Sequence, residues 1–391
     1  MKPTIRLLAL LVCLALCALL AVGTAGARSR PGAPGVAPSA PIEKTRKIAP
    51  GLFYTKIIEK QVPRRTFVLR MDLSTAITLD VALAEPSLPA RRALSRIVQR
   101  AGALAGVNGD FGGLGNPVHP FAQDGNFLHT TDALGTLFAV TRDESRVFFG
   151  RPTVSIALTD TTDGRVFTLD RWNEGGPAPG ELVGFSPLGG TLEFPPSFAC
   201  SARLLPQGSP ESADPDGIRQ AYIVDEVGCS ESPMTREGGV VISATPATDE
   251  ATELLALALG TQMRLNWTLG WADVFDAVGG GPLLLQDGAV VGECNSGCGR
   301  QPRTGVGVTA SGKILLVVVD GRQAKWSLGP TVDEFAQIMA DLGAVTALNL
   351  DGGGSSEMVV EGEVVNRPSD GQERAISNAI LVLPGPDPDE P

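Results

Sequence analysis

The stretch "VGVTASGKILLVVVDG" (Val306–Gly321) contains two apolar segments separated by Ala310–Gly312, a combination that predicts a β-hairpin. Its second segment, Ile314–Val319, is apolar at every position and lacks the alternation of a strand with one face in water. We therefore expect this strand to be buried on both faces, with a layer of structure on each side of its sheet.

The residues after this hairpin predict a helix followed by another strand. Thr331 and Glu334 have the spacing of a capping box, and apolar residues recur at helical intervals as far as Leu342, where Gly343 ends the pattern. A short apolar run then enters "NLDGGGSSEMVV" (Asn349–Val360), where a carboxylate, three glycines and two serines interrupt strand material. Such an interruption is typical of a tight turn or of a functional site.

The rest of the chain adds strands and few helices. Phe67–Met71 and Ile77–Leu83 predict strands, Ala90–Ala101 predicts an amphipathic helix that ends at a glycine, and Ala103–Gly115 predicts a buried strand followed by a glycine-rich loop. A last strand is expected at Asn378–Leu383. The fold class predicted is α+β, with mixed or antiparallel sheets and few helices in a single large domain.

Composition is that of a globular protein and argues against a nucleic-acid partner. The chain has 391 residues, of which 43% are hydrophobic and 19% charged, and its formal net charge is −11. Proteins that bind nucleic acid usually carry a basic face. An anionic small substrate remains compatible with this charge, because it needs only a few local arginines.

The N-terminus has the three parts of a secretory signal peptide. Lys2 and Arg6 are the positive region, Leu7–Val22 is the apolar region, and Ala25–Ala27 is a cleavage site of small residues. We therefore predict a signal peptide over residues 1–27 and an exported protein, secreted or periplasmic, without a stable membrane anchor.

Composition also divides the remaining chain. Residues 28–50 are rich in Pro, Gly and Ala and predict a disordered linker, and residues 385–391 predict a disordered tail. The folded domain is expected at 51–384, with 150–245 as an irregular stretch that suggests an insertion.

Four cysteines lie outside the signal peptide: Cys200, Cys229, Cys294 and Cys298. An even number in an exported protein predicts two disulfides. Three pairings exist, and the pairing of Cys200 with Cys229 and of Cys294 with Cys298 closes the shortest loops. The alternative, a zinc site on Cys294 and Cys298, lacks supporting histidines, since the chain has two.

Polar residues cluster at five predicted strand ends or turns, where sites are often built. Familiar catalytic motifs are absent from them: the glycine run lacks the lysine of a P-loop, and Ser355 lacks the G-x-S-x-G context of a hydrolase nucleophile. His119 and His129 lie in one loop-rich stretch, and we predict structural roles for both. The five stretches are Asn108–Asp110, Gly279–Pro282, Pro302–Gly305, Asp320–Arg322 and Asp351–Ser356.

Taken in order, four segments resemble the phosphodiester glycosidase family. They are "GGGPLLLQDGAVV", "PRTGVGVTASGKILLVVVDGR", "LGPTVDEFAQIMADLGAVTALNLDGGGSSEMVV" and "VVNRPSDGQERAISNAILV". The resemblance extends from about Asn108 to Val382. It implies a catalytic domain that cleaves the bond between a sugar's anomeric carbon and a phosphodiester oxygen, with a phosphomonoester as leaving group.

Two residues depart from the family pattern. Asp110 stands where the family often has glycine after Asn-Gly, and Glu357 stands where threonine commonly follows the paired serines. Both departures add a carboxyl group near a site that is expected to hold phosphate.

The resemblance assigns roles to named residues. Asp351 is expected to be the base or nucleophile, with Asp320 as second choice, and Arg303 and Arg322 are expected to hold the phosphate with backbone N–H groups. The full set of predicted substrate-binding residues is Asn108, Arg303, Thr304, Arg322, Gly353, Gly354, Ser355, Ser356, Asn366, Arg374 and Asn378. No cofactor is required by this chemistry, although Asp and Asn oxygens are ligands that suit a structural or catalytic Ca²⁺. The partner expected is a sugar-1-phosphodiester or phosphoglycan substrate.

Two other functions use the same residues. One is a secreted module that binds anionic cell-wall glycan without cleaving it, and the other is a phosphodiesterase that breaks the P–O bond. The two acids Asp320 and Asp351 favour the glycosidase, because a pure phosphate binder gains nothing from carboxylates beside the anion.

Overall fold

Antiparallel strands account for most of the described structure. The computed structural model describes residues 40–130, 135–187, 199–212, 218–230, 239–292, 294 and 297–385. The predicted signal peptide, the predicted linker up to residue 39 and the predicted tail beyond residue 385 lie outside these residues.

Within these residues, three helices occur: α1 (Leu94–Ala101), α2 (Asp249–Leu255) and α3 (Val332–Asp341). A short 3-10 helix spans Gly353–Ser355. The strands are β1 (Ile42–Ala49), β2 (Leu52–Glu59), β3 (Arg64–Met71), β4 (Ile77–Leu83), β5 (Ala105–Asn108), β6 (Phe121–Gln123), β7 (Asn126–His129), β8 (Thr136–Thr141), β9 (Val147–Gly150), β10 (Ser155–Asp160), β11 (Val166–Thr168), β12 (Arg171–Trp172), β13 (Leu182–Phe185), β14 (Ala199–Ser212), β15 (Ile218–Ser230), β16 (Val240–Ala244), β17 (Gln262–Thr268), β18 (Val274–Gly280), β19 (Leu283–Gln286), β20 (Ala289–Val290), β21 (Arg303–Thr309), β22 (Ile314–Val319), β23 (Ala344–Asn349), β24 (Met358–Val360), β25 (Glu363–Val364) and β26 (Asn378–Pro384).

The described strands form four sheets. One eight-stranded sheet has the order β1-β2-β3-β22-β21-β23-β19-β20, and a second has the order β11-β10-β17-β15-β14-β16-β13-β12. The two five-stranded sheets have the orders β7-β6-β18-β8-β9 and β25-β24-β5-β26-β4. Neighbouring strands are antiparallel except β12 and β13, which are parallel. The α+β expectation of antiparallel sheets with few helices is thus confirmed for the described residues.

Strand β22 is buried on both faces, as its unbroken apolar sequence predicts. Leu316 and Val318 pack into the core shared with both five-stranded sheets. Leu315 and Val317, which point to the opposite face, pack against α3 through residues such as Phe335. Strand β22 therefore lies between two layers of the core, and this packing fixes the positions of its ends and of the ends of its neighbouring strands.

Helix α3 begins and ends where the sequence indicates. The Thr331 hydroxyl accepts a hydrogen bond from the Glu334 backbone N–H at 3.2 Å, and the Glu334 carboxylate accepts one from the Thr331 N–H at 3.0 Å. Gly343, just after the helix, has φ +94°, a conformation that favours glycine. This capping box satisfies two backbone donors that a helix start otherwise leaves unpaired.

The predicted strands 67–71 and 77–83 are present in β3 and β4, which belong to different sheets. Two other local predictions differ from the structure. Helix α1 begins at Leu94 and not at Ala90, because Arg92 is extended and pairs with Ile376. Residues 42–49 of the predicted linker form β1, an edge strand whose side chains are mostly exposed and therefore lack an apolar pattern.

Residues 150–245 supply much of the second eight-stranded sheet, including the whole of β10 to β16 outside the undescribed gaps. The two predicted disulfides are present: Cys200 bonds Cys229 across adjacent strands, and Cys294 bonds Cys298 within one loop. In the part of the chain that the structure describes, no helix combines the length and apolarity needed to cross a bilayer.

The capping box gives a first prediction. Thr331→Ala removes the acceptor for the Glu334 N–H, and we expect the free energy of unfolding to fall by about 1 kcal/mol. Thr331→Ser keeps a hydroxyl at this position and should cost much less. Urea titration of both variants measures the difference, and equal stability of Thr331→Ala and wild type would contradict the assigned cap.

Candidate active site

A cavity of about 980 Å³ opens where the ends of β18, β21 and β23 meet the glycine-rich loop after Asn349. Its lining combines backbone glycines with basic side chains. The charged and titratable residues that line it are His119, Arg151, Arg303, Arg322, Asp351 and Arg374. In the described part of the chain, one carboxylate and four arginines therefore face the same space.

Asp351 is fixed by its backbone. Its N–H donates to the Gly109 carbonyl at 3.0 Å, and its carboxylate accepts a hydrogen bond from the Gly352 N–H at 2.8 Å. Burial raises the pKa of the Asp351 carboxyl, and the negative charge of Asp110 adds to the rise, whereas hydrogen bonding by Ser355 and the charge of Arg374 oppose it. A carboxyl group with a raised pKa is typical of a catalytic position.

Arg303 lies at the start of β21 and is 6% exposed. Its Nη2 donates to the carbonyls of Gly297 and Gly299, at 2.6 and 2.9 Å. Its buried Nε–H has no hydrogen-bond partner among the described residues. Burial, followed by the charge of Arg322, lowers the pKa of Arg303. A buried guanidinium with an unsatisfied donor beside a second arginine is suited to an anion.

Arg322 and Arg374 each lie close to the glycine run. Gly353 has φ +65°, and a Cβ there would lie 3.0 Å from Nη2 of Arg322. A Cβ on Gly354 would lie 2.0 Å from Nη2 of Arg374. Glycine therefore allows both guanidinium groups to approach the backbone of this loop closely. The backbone N–H groups and the two arginines together provide an environment for a bound anion.

Asp320 is placed differently from Asp351. It is 1% exposed and does not line the cavity in the described chain. Its carboxylate accepts hydrogen bonds from Trp326 Nε1 at 2.6 Å, from Asn366 Nδ2 at 3.0 Å and from the Arg367 N–H at 3.1 Å. Burial raises the pKa of Asp320, and these donors lower it. With its oxygens occupied, Asp320 has the surroundings of a structural group that holds the loop after β25.

The predicted site residues thus divide into two layers. Those that line the cavity are Arg303, Arg322, Asp351, Gly353 and Arg374. Those that lie behind this lining are Asn108, Thr304, Asp320, Gly354, Ser355, Ser356, Asn366 and Asn378. Asn108 illustrates the second layer, because its amide bonds the Asp351 carbonyl and the Thr304 hydroxyl, each at 2.7 Å.

His119 lines the cavity, although the sequence predicted a structural role for it. Its Nδ1 is 2.7 Å from Oδ1 of Asp110, and its backbone N–H donates to Oδ2 of Asp110 at 2.8 Å. Asp110, fully buried in its side chain, also accepts a hydrogen bond from the Phe111 N–H. The one sequence signal for this pair is the departure from glycine at position 110, nine residues before the histidine.

Glu357, the second departure, lies directly behind the glycine run and is 0% exposed. Its two buried carboxyl oxygens lie near the Glu373 carboxyl group. Burial, with the neighbouring charge of Glu373, raises the pKa of Glu357 to about 9. At neutral pH this side chain is therefore protonated and adds no charge near the cavity.

A separate acidic cluster lies outside the cavity lining. Asp80, Asp124 and Asp276 bring carboxylate oxygens within 4.8 Å of one another. Burial, with the charges of Asp124 and Glu144, raises the pKa of Asp80 to about 7. Burial also raises the pKa of nearby Glu144 to about 7, against the opposing effect of a hydrogen bond from the Leu79 N–H. Three carboxylates at this spacing could hold a cation.

Comparison with known proteins confirms the resemblance found in the sequence. Residues 217–383 match the family model described as phosphodiester glycosidase. The matched range contains Arg303, Arg322, Asp351 and Arg374, whereas His119 lies outside it.

Individual relatives share part of the chain. An uncharacterized, prophage-derived protein of Bacillus subtilis is 38% identical over 83 residues, which are 21% of this chain and 13% of that protein. A hypothetical protein from Synechocystis has a similar fold, with a TM-score of 0.66 at 23% identity over 88% of this chain and 64% of that chain. A Burkholderia pseudomallei protein described as exported has a TM-score of 0.56 at 25% identity, covering 82% and 74% of the two chains. The chain thus spans less than two thirds of the Bacillus and Synechocystis proteins.

Glu357 yields a prediction of pH-dependent stability. The folded protein keeps this proton up to about pH 9, whereas an unfolded chain releases it near the ordinary value of 4.5. Between these values the folded state binds more protons, so the free energy of unfolding should fall as pH rises. Glu357→Gln cannot ionise and should flatten this fall. Urea titrations of both proteins from pH 5 to about pH 9 provide the measurement, and parallel curves would contradict a buried neutral carboxyl.

Proposed function

We propose that the protein is an exported hydrolase that cleaves the glycosidic bond of a sugar-1-phosphodiester, between the anomeric carbon and the phosphate oxygen. The observation that supports this most strongly is the lining of one cavity: three arginines from the matched region surround the glycine run that begins at Asp351. The arginines suit a phosphodiester, and the carboxylate suits the positive charge that develops on a sugar during cleavage.

The phosphate group would lie against Arg303, Arg322 and the backbone N–H groups of the glycine run. Guanidinium groups donate two hydrogen bonds in the plane of a phosphate, and charge-assisted bonds of this kind are about twice as strong as neutral ones. As the C–O bond breaks, negative charge increases on the departing phosphomonoester. The same donors then stabilise the leaving group, so that no strong acid is required.

The sugar would lie on the side of Asp351. Its carboxylate stabilises the oxocarbenium-like transition state and is the group expected to act as nucleophile or base. A binding module would gain nothing from a buried carboxyl beside its anion, since the like charge weakens binding. For this reason we favour the hydrolase over a module that only binds anionic cell-wall glycan.

Secretion is part of the proposed function. Two disulfides and the similarity to a Burkholderia protein described as exported support secretion into an oxidising compartment.

The reaction as proposed needs no cofactor. Calcium is the cation whose ligand preferences fit Asp80, Asp124 and Asp276, and its role there would be structural, because this cluster lies outside the cavity lining.

Asp351→Asn tests the function directly. The amide is nearly isosteric but cannot act as a nucleophile or accept a proton, so turnover should fall by about 10²-fold or more with the fold retained. The assay measures release of phenyl phosphate from the phenyl phosphodiesters of glucose 1-phosphate and N-acetylglucosamine 1-phosphate. Substrate affinity should persist or rise, because a negative charge has been removed.

Three results would contradict the proposed function or the role of Asp351. A wild-type protein that binds these compounds without hydrolysing them would identify a binding module. In ¹⁸O-labelled water, label in the phosphate would indicate P–O cleavage, whereas label on the sugar supports C–O cleavage. Full activity of Asp351→Asn would remove Asp351 from the catalytic machinery.

Arg303 provides a second test of the phosphate position. Arg303→Ala removes a buried, charge-assisted donor and should weaken binding or turnover by about 1.5–3 kcal/mol, which is roughly 10- to 150-fold. Arg300→Ala is the matched control, because Arg300 lies three residues away, pairs with Glu334 and does not line the cavity. Equal kinetics for the two variants would remove Arg303 from the site.

A further inference from the structure

The side chain of His119 packs closely against two glycines, Gly135 and Gly279. A Cβ on Gly279 would lie 2.3 Å from the His119 Cβ and 2.7 Å from its Nδ1. A Cβ on Gly135 would lie 2.2 Å from its Nε2. Gly135 lines the cavity, and at both glycine positions the imidazole occupies space that any larger residue would fill. The ring is therefore positioned on both sides, and it is only 13% exposed.

The hydrogen-bond partner of the His119 imidazole determines which of its two nitrogens carries the hydrogen. The Asp110 carboxylate is an acceptor, and its Oδ1 lies 2.7 Å from Nδ1, so Nδ1 is the donor of this bond. Nε2 is then left with its lone pair on the edge of the ring beside Gly135, which also lines the cavity. A carboxylate bonded to Nδ1 orients an imidazole and stabilises the cation that forms when Nε2 accepts a proton.

We propose that His119 is the general base of the hydrolysis and that Asp110 is its positioning residue. This assignment rests on the proposed function and narrows the role of Asp351 there, from nucleophile or base to the group that stabilises the positive charge at the anomeric carbon. The leaving phosphomonoester needs no proton while arginines hold it, so the proton that remains to be moved is that of the attacking water. His119 and Asp351 line the same cavity, and the Asp351 N–H donates to the carbonyl of Gly109, the residue before Asp110, at 3.0 Å. The pair therefore lies next to the glycine-rich loop.

The step balances without a further reactant. The water oxygen forms a bond to the anomeric carbon, and one water proton moves to Nε2 of His119. The bond between the anomeric carbon and the phosphate oxygen breaks, and its electron pair leaves on the phosphomonoester. Asp351 stabilises the positive charge at the anomeric carbon, and Asp110 balances the imidazolium until it returns the proton to solvent.

Variants of His119 and Asp110, with Gln286→Ala as a control, test this assignment in the phenyl phosphodiester assay. His119→Ala should lower kcat by about 10²-fold or more with little change in KM, because the base acts in the transition state and not in substrate binding. Imidazole added to the assay should restore part of the lost rate by occupying the space of the missing ring. Gln286→Ala removes another polar side chain from the cavity lining, and imidazole should not raise its rate.

Asp110→Asn tests the positioning role. It should lower kcat, and imidazole should not restore the rate, since the histidine is still in place. In the His119→Ala background the same substitution should add little further loss, because the two residues act as one unit. Thermal unfolding of each variant shows whether the fold is retained.

The outcomes separate the two proposals. If the wild-type protein hydrolyses none of the phosphodiesters, the proposed function fails and the base assignment fails with it. If hydrolysis occurs and His119→Ala keeps wild-type kcat, or loses activity that imidazole does not restore, His119 is not the base while the glycosidase function stands. Full additivity of the Asp110 and His119 losses would reject the dyad.

Discussion

The amide of Asn108 is the interaction on which the site depends. Its Nδ2 donates to the Asp351 carbonyl, and its oxygen accepts from the Thr304 hydroxyl at 2.7 Å and from the Glu357 N–H at 3.1 Å. One buried side chain at the end of β5 thereby joins the second residue of β21, the loop after β23 and the residue before β24. Buried polar groups of this kind are costly unless fully paired, so the network specifies one arrangement of these strand ends.

Part of this arrangement could be predicted from local sequence, because the order of apolar and polar residues in a segment indicates which of its side chains are buried. The apolar run of β22, the capping box of α3 and the polar interruption at Asp351 each identify what lies nearby along the chain. Local pattern does not report which strand ends meet in space. Asp320 and Asp351 look alike in sequence, since each follows an apolar strand, yet one carboxylate is surrounded by donors and the other faces a cavity. The position of His119 in the cavity lining could not be predicted for the same reason, because Asp110, Gly135 and Gly279 are brought around its ring by tertiary structure.

The two departures from the family pattern have a common electrostatic consequence. Each adds a carboxyl group near a site expected to hold phosphate, but neither adds an unpaired negative charge to the cavity. The Asp110 carboxylate is bonded to His119 and to backbone N–H groups. Glu357 keeps its proton, because burial and Glu373 raise its pKa to about 9. The arginines can therefore create a local positive potential inside a chain whose net charge is −11.

The orientation of one of these arginines depends on the disulfide between Cys294 and Cys298. Its loop contains Gly297, whose carbonyl accepts a hydrogen bond from Arg303, and Gly299 follows immediately. The disulfide thus holds in place the loop whose carbonyl groups orient a buried guanidinium. Reduction of this bond would release the loop, and the fixed orientation of Arg303 would be lost with it.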